Sequence, residues 1–168
     1  MIIYERDIEV CYSPALFQYH NPQDKIVVVI DVLRASSVIC TALAHGVKEI
    51  IPVANVDEAF SYRDKGYLIG AERSGIKVEG ADIDNSPFSY MDPSLINKKI
   101  VLTTTNGTQA INIAKEKNTV VIGCFLNYKV LCNWLILQQR DILILCAGWK
   151  NKYNLEDTFC AGAIVDYL

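Results

Sequence analysis

One pattern occurs twice in this chain, in Lys99-Ile-Val-Leu-Thr-Thr-Thr-Asn-Gly-Thr108 and in Lys25-Ile-Val-Val-Val-Ile-Asp-Val-Leu-Arg-Ala-Ser-Ser37. In each stretch an apolar, β-branched run passes into a short polar loop, and a helix-forming segment follows. This order predicts a strand, a loop and a helix in succession. The free N–H groups of a first helical turn, together with the helix dipole, favour a bound anion at such a junction. Two junctions of this kind indicate a site for a small, highly charged acid.

The same alternation continues along most of the chain. Apolar strand patterns occur at 25–30, 49–53, 67–70, 100–104, 120–123 and 142–146. Helical patterns occur at 36–44, 55–65, 107–117 and 128–138, and a last one begins after Asn154. Strands that alternate with helices predict a mainly parallel sheet with helices on both of its faces. The predicted fold class is therefore α/β, with three layers in the order α/β/α.

Composition limits the classes of protein to which the chain can belong. Of its 168 residues, 51% are hydrophobic and 21% are charged, which predicts a single packed domain over residues 1–168. A formal net charge of −3 and the lack of a Lys/Arg cluster argue against a nucleic-acid partner. The sequence shows neither a signal peptide nor a membrane span. Its six cysteines include no Cys-x-x-Cys pair, so we expect buried free thiols in a reducing cytoplasm.

Polar residues at the carboxyl ends of the predicted strands are candidates for a site, because ligands of open α/β sheets bind at this edge. Asp31 follows the first strand and suits metal binding, proton transfer or helix capping. Arg34 suits a bidentate contact with phosphate or sulfonate, or alternatively an ion pair. Glu72 and Arg73 follow another strand. They provide an oxygen ligand or general base and a second anion contact, or alternatively a surface salt bridge.

Two acidic segments are expected near the same edge. Asp82 opens a turn-rich segment that continues through Asn85 and Ser86, and its oxygens suit either a metal or a turn. Glu156 and Asp157 fall in the first turn of the last predicted helix, where acidic side chains also complement the helix dipole. Both segments therefore allow a functional and a purely structural interpretation.

The polar loop of the first quoted stretch is the hardest segment to interpret as structural alone. It offers hydroxyl groups and backbone N–H groups at the start of one helix, for a ligand or for a helix cap. The loop residues are Thr104, Thr105, Asn106, Gly107 and Thr108. We expect Gly107 to have a positive φ, which a β-branched residue would resist, and to let a ligand approach the backbone closely.

Familiar catalytic motifs do not occur in the sequence. It contains no Gly-x-Ser-x-Gly elbow, Walker loop or Gly-x-Gly-x-x-Gly, and the positions of His20 and His45 do not predict a catalytic pair. What remains is a set of carboxylates, two arginines and helix N-termini. These groups suit the transfer or hydrolysis of a phosphoryl group with a divalent metal.

Six motifs in order along the chain resemble those of the 2-phosphosulfolactate phosphatase family. They are Ile30-Asp-Val-Leu-Arg-Ala-Ser-Ser-Val, Gly70-Ala-Glu-Arg-Ser-Gly-Ile-Lys, Gly80-Ala-Asp-Ile-Asp-Asn-Ser-Pro, Leu102-Thr-Thr-Thr-Asn-Gly-Thr, Gly123-Cys-Phe-Leu-Asn and Leu155-Glu-Asp-Thr-Phe-Cys-Ala-Gly-Ala. The resemblance implies an Mg²⁺-dependent phosphatase that converts 2-phospho-3-sulfolactate and water into 3-sulfolactate and phosphate, a step toward coenzyme M. Such a substrate carries phosphate, sulfonate and carboxylate groups together, and this charge gives the arginines and helix N-termini a common purpose.

For a substrate of this kind, the chemistry of each candidate residue suggests a role. Three carboxylates are expected to bind magnesium, namely Asp31, Glu72 and Asp157. Activation of water or proton transfer is expected from Asp31, Glu72, Asp82 or Glu156. The residues expected to hold the anionic substrate are Arg34, Arg73, Asn85, Ser86, Thr104, Thr105, Asn106, Gly107 and Thr108. We favour direct attack by water over a covalent intermediate on Asp31, because no Asp-x-Asp partner lies nearby.

Members of the resembled family continue beyond the Ala-Gly-Ala helix, so we expect that this sequence lacks a C-terminal part. We also expect a homodimer, because the predicted edges are apolar. Three other functions remain open at this stage. They are a phosphatase of a different phosphorylated hydroxy acid, a phosphotransferase or lyase acting on a related acid, and a non-catalytic module that binds small phosphorylated or sulfonated acids.

Overall fold

The computed structural model describes residues 6–116 and 118–168, which contain eight strands and five α-helices. The strands are β1 (Ile8–Cys11), β2 (Ile26–Ile30), β3 (Glu49–Pro52), β4 (Leu68–Arg73), β5 (Ile76–Lys77), β6 (Lys99–Thr103), β7 (Thr119–Gly123) and β8 (Ile142–Cys146). The α-helices are α1 (Ala35–Ala44), α2 (Val56–Ser61), α3 (Gly107–Ala114), α4 (Tyr128–Gln138) and α5 (Leu155–Tyr167). Short 3₁₀ segments occupy Pro14–Tyr19, Arg63–Lys65, Pro87–Met91 and Pro93–Leu95.

The strands form two four-stranded sheets, where the sequence predicted one. The first sheet has the order β1-β8-β2-β7, and all its pairs are parallel. The second has the order β3-β6-β4-β5, and its only antiparallel pair in the described chain is β4 with β5. Ile30 pairs with Gly123 on one side and with Cys146 on the other, so β2, β7 and β8 end level with one another. The loops after these strands therefore emerge side by side.

Alternate residues of each strand contribute to different apolar clusters, as the period of two requires. Val29 of β2 and Leu102 of β6 belong to one large cluster, in which both sheets pack with α1 and α3. Val28 points to the opposite face of the first sheet, which α4 and α5 cover. Val101 points to a third cluster, which includes α2. Helices therefore lie on both faces of the first sheet, and the predicted α/β/α layering is confirmed.

Most boundaries of helices and strands agree with those predicted from local sequence signals. Asn55 accepts a hydrogen bond from the Glu58 N–H at 2.8 Å, as expected of a helix N-cap. The single helix predicted at 55–65 instead becomes α2 and a 3₁₀ segment, which ends at Gly66 with a φ of 81°. The helix predicted at 107–117 ends at Ala114, and Lys117 lies outside the described residues. Strand β1 was not predicted, because its four residues carry no continuous apolar run.

Two predictions about the whole chain concern membranes and thiols. Among the residues that the structure describes, none of the helices combines the length and apolarity required to cross a bilayer. All six cysteines are free, and all but Cys40 are buried, as the sequence predicted.

Candidate active site

A small cavity is lined by residues from segments at the carboxyl ends of strands in both sheets. Asp31 and Arg34 reach it from the segment after β2, and Glu72 reaches it from the end of β4. Asn106 precedes α3, and Trp149 follows β8. The complete lining consists of Asp31, Leu33, Arg34, Glu72, Gly75, Asn85, Asn106 and Trp149. The structure thus brings five of the predicted site residues together at the predicted edge of the sheets.

Asp31 is a buried carboxylate between the first turns of two helices. Asp31 is 7% exposed, and the nearby backbone N–H groups of Ala35 in α1 and Gly107 in α3 favour its charged form. Burial raises the pKa of Asp31 to about 7, and the negative charge of Asp157 adds to this rise. The N–H donors and Glu72 act more weakly, in opposite directions. Asp31 is therefore placed to exchange a proton near neutral pH.

Gly107 packs directly against Asp31. A Cβ atom at Gly107 would collide with Asp31 Oδ2 and with the Ala35 side chain. The φ of Gly107 is not among the positive values of the described chain, which corrects the expectation that this glycine is needed for its backbone conformation. The residue is small because the Asp31 carboxylate and α1 occupy the space that a side chain would need.

Glu72 connects the turn between β4 and β5 to the loop that precedes α3. Its Oε1 accepts hydrogen bonds from the Thr105 hydroxyl at 2.9 Å and from the Gly75 N–H. Its Oε2 accepts from the Thr105 N–H at 3.3 Å. The Thr105 hydroxyl also accepts from the Ser74 N–H at 2.9 Å. These contacts fix the turn between β4 and β5 against the loop that leads into α3.

The two buried threonines of the loop before α3 bind each other. The Thr104 N–H donates to Thr108 Oγ1 at 2.9 Å, and the Thr108 N–H donates to Thr104 Oγ1 at 3.1 Å. Both residues are at most 1% exposed. Their hydroxyl groups therefore shape the loop that presents Asn106 to the cavity. Direct contact between these hydroxyls and a substrate stays a prediction.

The two predicted arginines differ in their surroundings. Arg34 lines the cavity, and its only side-chain hydrogen bond within the described chain is a 3.5 Å contact with the Gly75 carbonyl. Arg73 turns toward Thr103 Oγ1 at 2.8 Å and toward the carbonyl oxygens of Glu72 at 2.6 Å and Ala54 at 3.3 Å. Arg34 is thus available to an anionic ligand, whereas the structure gives Arg73 a role in holding three strand ends together.

Asp157 fastens the loops after two neighbouring strands of the first sheet. Its Oδ1 accepts from the Val32 N–H at 2.8 Å, and its Oδ2 accepts from the Gly148 N–H at 3.0 Å. Asp157 is fully buried, and burial raises its pKa, although these two N–H groups oppose the rise. Metal binding by Asp157 stays a prediction. The observed contacts assign it to positioning the loops that carry Asp31 and Trp149.

Three other predicted residues lie elsewhere in the structure. Asp82 Oδ2 accepts from the Ile69 N–H at 2.8 Å, and Oδ1 pairs with Arg63 at 3.3 Å, beside a separate open groove. Ser86 precedes the 3₁₀ segment Pro87–Met91. Glu156 accepts a hydrogen bond from the Asn154 side chain at 3.2 Å near the start of α5. The structure does not bring these three described residues into the cavity lining, and their roles in catalysis or binding stay predictions.

The cavity also offers oxygen ligands that suit Mg²⁺. Asp31 and Glu72 contribute carboxylates, and the amide of Asn85 is 4% exposed with no hydrogen-bond partner for its Oδ1 among the described residues. No group of three or more His, Cys, Asp or Glu residues suited to a metal occurs in 6–116 or 118–168. Mg²⁺ needs no such group, since it commonly uses one or two carboxylates together with waters and substrate oxygens. The two carboxylates and the unpaired amide oxygen therefore fit this ion.

Sequence reasoning missed three residues of the cavity. Leu33 and Gly75 belong to segments that were singled out for their charged neighbours, and Trp149 belongs to a polar loop after β8. The signal in the sequence that could have identified these three residues is that each lies shortly after a predicted strand. Their side chains carry no charge, so residue type did not indicate a role in binding an anion.

Comparison with known proteins gives a consistent result. A family model described as 2-phosphosulpholactate phosphatase matches residues 11–168. The probable 2-phosphosulfolactate phosphatase of Clostridium tetani is 38% identical over 165 residues, which are 96% of this chain and 71% of that protein. The protein of the same name from Caldanaerobacter subterraneus subsp. tengcongensis is 41% identical over 150 residues, 87% of this chain and 62% of the relative. The corresponding Clostridium novyi protein is 38% identical over 164 residues, which are 96% of this chain and 70% of that protein.

Proposed function

The chain belongs to the 2-phosphosulfolactate phosphatase family, whose name denotes phosphoric monoester hydrolases, and we propose that it hydrolyses 2-phospho-3-sulfolactate to 3-sulfolactate and phosphate with Mg²⁺. The chain spans 62% to 71% of the length of the relatives described above. The activity of the whole protein is therefore part of the proposal.

The observation that supports this function most strongly is the composition of the cavity. Arg34, the Asp31 and Glu72 carboxylates and the first turns of α1 and α3 meet in one place. A guanidinium group and two helix N-termini favour an anionic ligand. Carboxylates would repel the same ligand unless a cation or a proton lay between them. This combination is the one that hydrolysis of a highly charged phosphate ester requires.

Each of the chain's own residues has a distinct task in the proposed reaction. Arg34 binds a phosphoryl or sulfonate group, and Leu33 and Trp149 add exposed apolar surface to the cavity lining. Asp31 orients the attacking water; its pKa of about 7 is that of the metal-free protein, and a bound cation would lower this pKa. Thr105 and Gly75 hold Glu72 in position by hydrogen bonds.

Asp31, Glu72 and Asn85 would hold Mg²⁺ in this proposal. When bound, the ion supplies positive charge that stabilises the transferring phosphoryl group. We propose direct attack by water, with release of phosphate. The product 3-sulfolactate would place the reaction on a route toward coenzyme M, and we propose a cytoplasmic location and a homodimer. Light scattering during size-exclusion chromatography would measure the oligomeric state.

The test is phosphate release from racemic 2-phospho-3-sulfolactate, with Mg²⁺ and again with excess EDTA. The longer proteins from Clostridium tetani and Caldanaerobacter should be assayed beside the 168-residue chain. We expect release that depends on Mg²⁺. A panel of phosphorylated hydroxy acids without the sulfonate would reveal a different physiological substrate.

Two variants and one control connect the activity to the cavity. Arg34→Ala should weaken binding of the substrate and of the transition state, and Glu72→Gln should lower turnover and affinity for Mg²⁺. Glu116→Gln is the matched control, because Glu116 is exposed beyond the end of α3. If both cavity variants retain full activity, the assignment of the site is wrong. If every form binds phosphate or sulfolactate without turnover of any panel member, the chain is a binding module.

A further inference from the structure

With the proposed substrate bound, the cavity holds more negative charge than the groups assigned so far can balance. Arg34 is the only cationic side chain among the described residues that line it, and the carboxylates of Asp31 and Glu72 belong to the same lining. A phosphate ester that carries two further acid groups would leave one of them without a cation, even with a divalent ion bound. Such a group requires a second cation at the edge of the cavity.

Two cations near the cavity are unsuited to this task. Arg73 already donates hydrogen bonds to a hydroxyl and to two backbone carbonyl oxygens at the ends of strands. Lys77 pairs with Glu72 across β4 and β5, but it lines the separate open groove. A cation for the second acid group must therefore come from another loop at this edge of the sheets.

The ammonium group of Lys150 lies beside the cavity. Lys150 directly follows Trp149, which belongs to the cavity lining, and its Nζ lies 5.6 Å from the centre of the Trp149 ring. Lys150 is exposed, and within 6–116 and 118–168 it forms no salt bridge with a carboxylate. The lysine side chain is a compact charge on a flexible stem, so it can reach an acid group that extends from the cavity.

The backbone at Lys150 forms a tight turn. Trp149 and Lys152 pair through two backbone hydrogen bonds, donated by the Trp149 N–H at 2.9 Å and by the Lys152 N–H at 3.0 Å. The two residues between them, Lys150 and Asn151, have φ values of 50° and 61°. Turns with two positive φ values favour Asn and Gly, so a lysine at the first position costs free energy. A conformation of this kind is commonly retained where a side chain serves a ligand.

Hydrogen bonds tie this turn to the cavity and to the first sheet. The Lys150 N–H donates to Asn106 Oδ1 at 2.9 Å, and Asn106 lines the cavity. The Ser13 hydroxyl donates to the Asn151 carbonyl at 2.7 Å from the segment that follows β1. Because the Asn106 oxygen accepts from Lys150, the amide NH₂ of Asn106 is the part that can donate to an anion. The turn therefore holds a cation and an amide donor at the same cavity.

We propose that Lys150 determines specificity, because its ammonium group binds an acid group of the substrate other than the phosphate, namely a sulfonate or a carboxylate on a carbon next to the ester carbon. This role rests on the function proposed above. The charge of that acid group does not change during hydrolysis, so the contact stabilises the bound substrate and the transition state equally. Loss of the ammonium should therefore raise KM and leave kcat nearly unchanged.

Three substitutions of Lys150 separate its charge from its backbone conformation. Lys150→Arg keeps the charge, whereas Lys150→Gln removes it. Lys150→Asn also removes the charge but suits a positive φ, so this variant should unfold at the same temperature as the original protein or at a higher one. Lys115→Gln is the matched control, because Lys115 is an exposed lysine at the end of α3 that is remote from Asn106.

The experiment is isothermal titration calorimetry of the 168-residue protein in Mg²⁺ with 3-sulfolactate, lactate and inorganic phosphate, which requires no turnover. Lys150→Gln and Lys150→Asn should bind 3-sulfolactate roughly 5- to 10-fold more weakly, the effect of losing one partly exposed charge contact, and should bind phosphate as before. Lys150→Arg and Lys115→Gln should bind all three ligands normally. A loss for 3-sulfolactate alone identifies the sulfonate as the partner, and an equal loss for lactate identifies the carboxylate.

Four results would overturn the proposal. They are normal 3-sulfolactate binding by both uncharged variants, an equal loss of phosphate binding, no binding of 3-sulfolactate by the original protein, and a fall in kcat without a rise in KM. Phosphate release, measured in parallel, tests the proposed function separately. A protein that binds 3-sulfolactate through Lys150 but hydrolyses no ester would contradict the phosphatase function and still support the contact.

Discussion

At the scale of single residues, Asp31 combines burial with a proposed role that needs its charge. Its pKa is about 7 in the folded protein, against 3.8 for an ordinary aspartate. The folded state therefore keeps a proton that the unfolded chain releases between these values. The contribution of Asp31 to the free energy of unfolding is fully present below the lower pKa and is lost as pH rises through the higher one.

We therefore expect the metal-free protein to lose stability as pH rises from about 5 to about 8, by on the order of 3 kcal/mol from Asp31. Asp31→Asn should flatten this dependence and be the more stable form at the upper end. Urea unfolding in EDTA across this range measures both proteins. Parallel curves for the two would show that Asp157, whose pKa burial also raises, causes the dependence instead.

Gly107 provides a second prediction for a single residue. Gly107→Ala should destabilise the protein by about 1–3 kcal/mol and lower activity, because the new methyl group would displace Asp31 and α1. Gly162→Ala is the matched control. Gly162 lies within α5, nothing approaches its added Cβ within 4 Å, and alanine favours a helix. Thermal unfolding and phosphate release should separate the two variants, and equal losses would contradict the packing argument.

At the scale of elements, the polar loops depend on buried side chains that satisfy one another. Asp157 at the start of α5 holds the loops after β2 and β8 through two backbone N–H groups. Asp157→Ala would leave both N–H groups without their charged acceptor. Hydrogen bonds to charged groups contribute about 1.5–3 kcal/mol each, so we expect a loss of several kcal/mol.

The matched control for Asp157→Ala is Glu156→Ala, in the same helical turn. Glu156 is half-buried and accepts one side-chain contact, so its removal should cost less than about 1 kcal/mol. Chemical denaturation followed by circular dichroism measures both changes. Similar losses for the two variants would show that the charge at the start of α5 matters, and not the connection between the loops.

At the scale of the whole molecule, the proposed ligands of Mg²⁺ come from segments that are distant in the sequence. Asp31 follows β2 of the first sheet, Glu72 lies in β4 of the second sheet, and Asn85 lies between β5 and β6. An ion that binds only the folded protein stabilises it, by about 2.7 kcal/mol at about a 100-fold excess over Kd. We expect Mg²⁺ to raise the unfolding temperature of the protein. Glu72→Gln should reduce this rise, while Glu116→Gln should retain it. An unchanged rise in Glu72→Gln would remove Glu72 from the proposed ligands.

The sequence by itself determined the α/β class, most strands and helices, and the edge where polar loops gather. These features follow from local rules, because apolar periodicity and capping residues act over a few neighbouring positions. Helix α4 and strand β8 match their predicted bounds for this reason. The residue types also indicated a site that binds an anion. They could not show that Arg34 lines the cavity whereas Arg73 holds strand ends together.

Only the tertiary structure decided which polar groups face the cavity and which support it. Two sheets, rather than one, place Asp31 against Gly107 and Glu72 against Thr105. Asp157, Arg73, Thr104 and Thr108 had the same sequence signal as the cavity residues, but buried N–H, C=O and hydroxyl partners occupy their polar atoms. The physical reason is that most buried polar atoms find a hydrogen-bond partner, and distant segments can supply it, as Val32 and Gly148 do for Asp157.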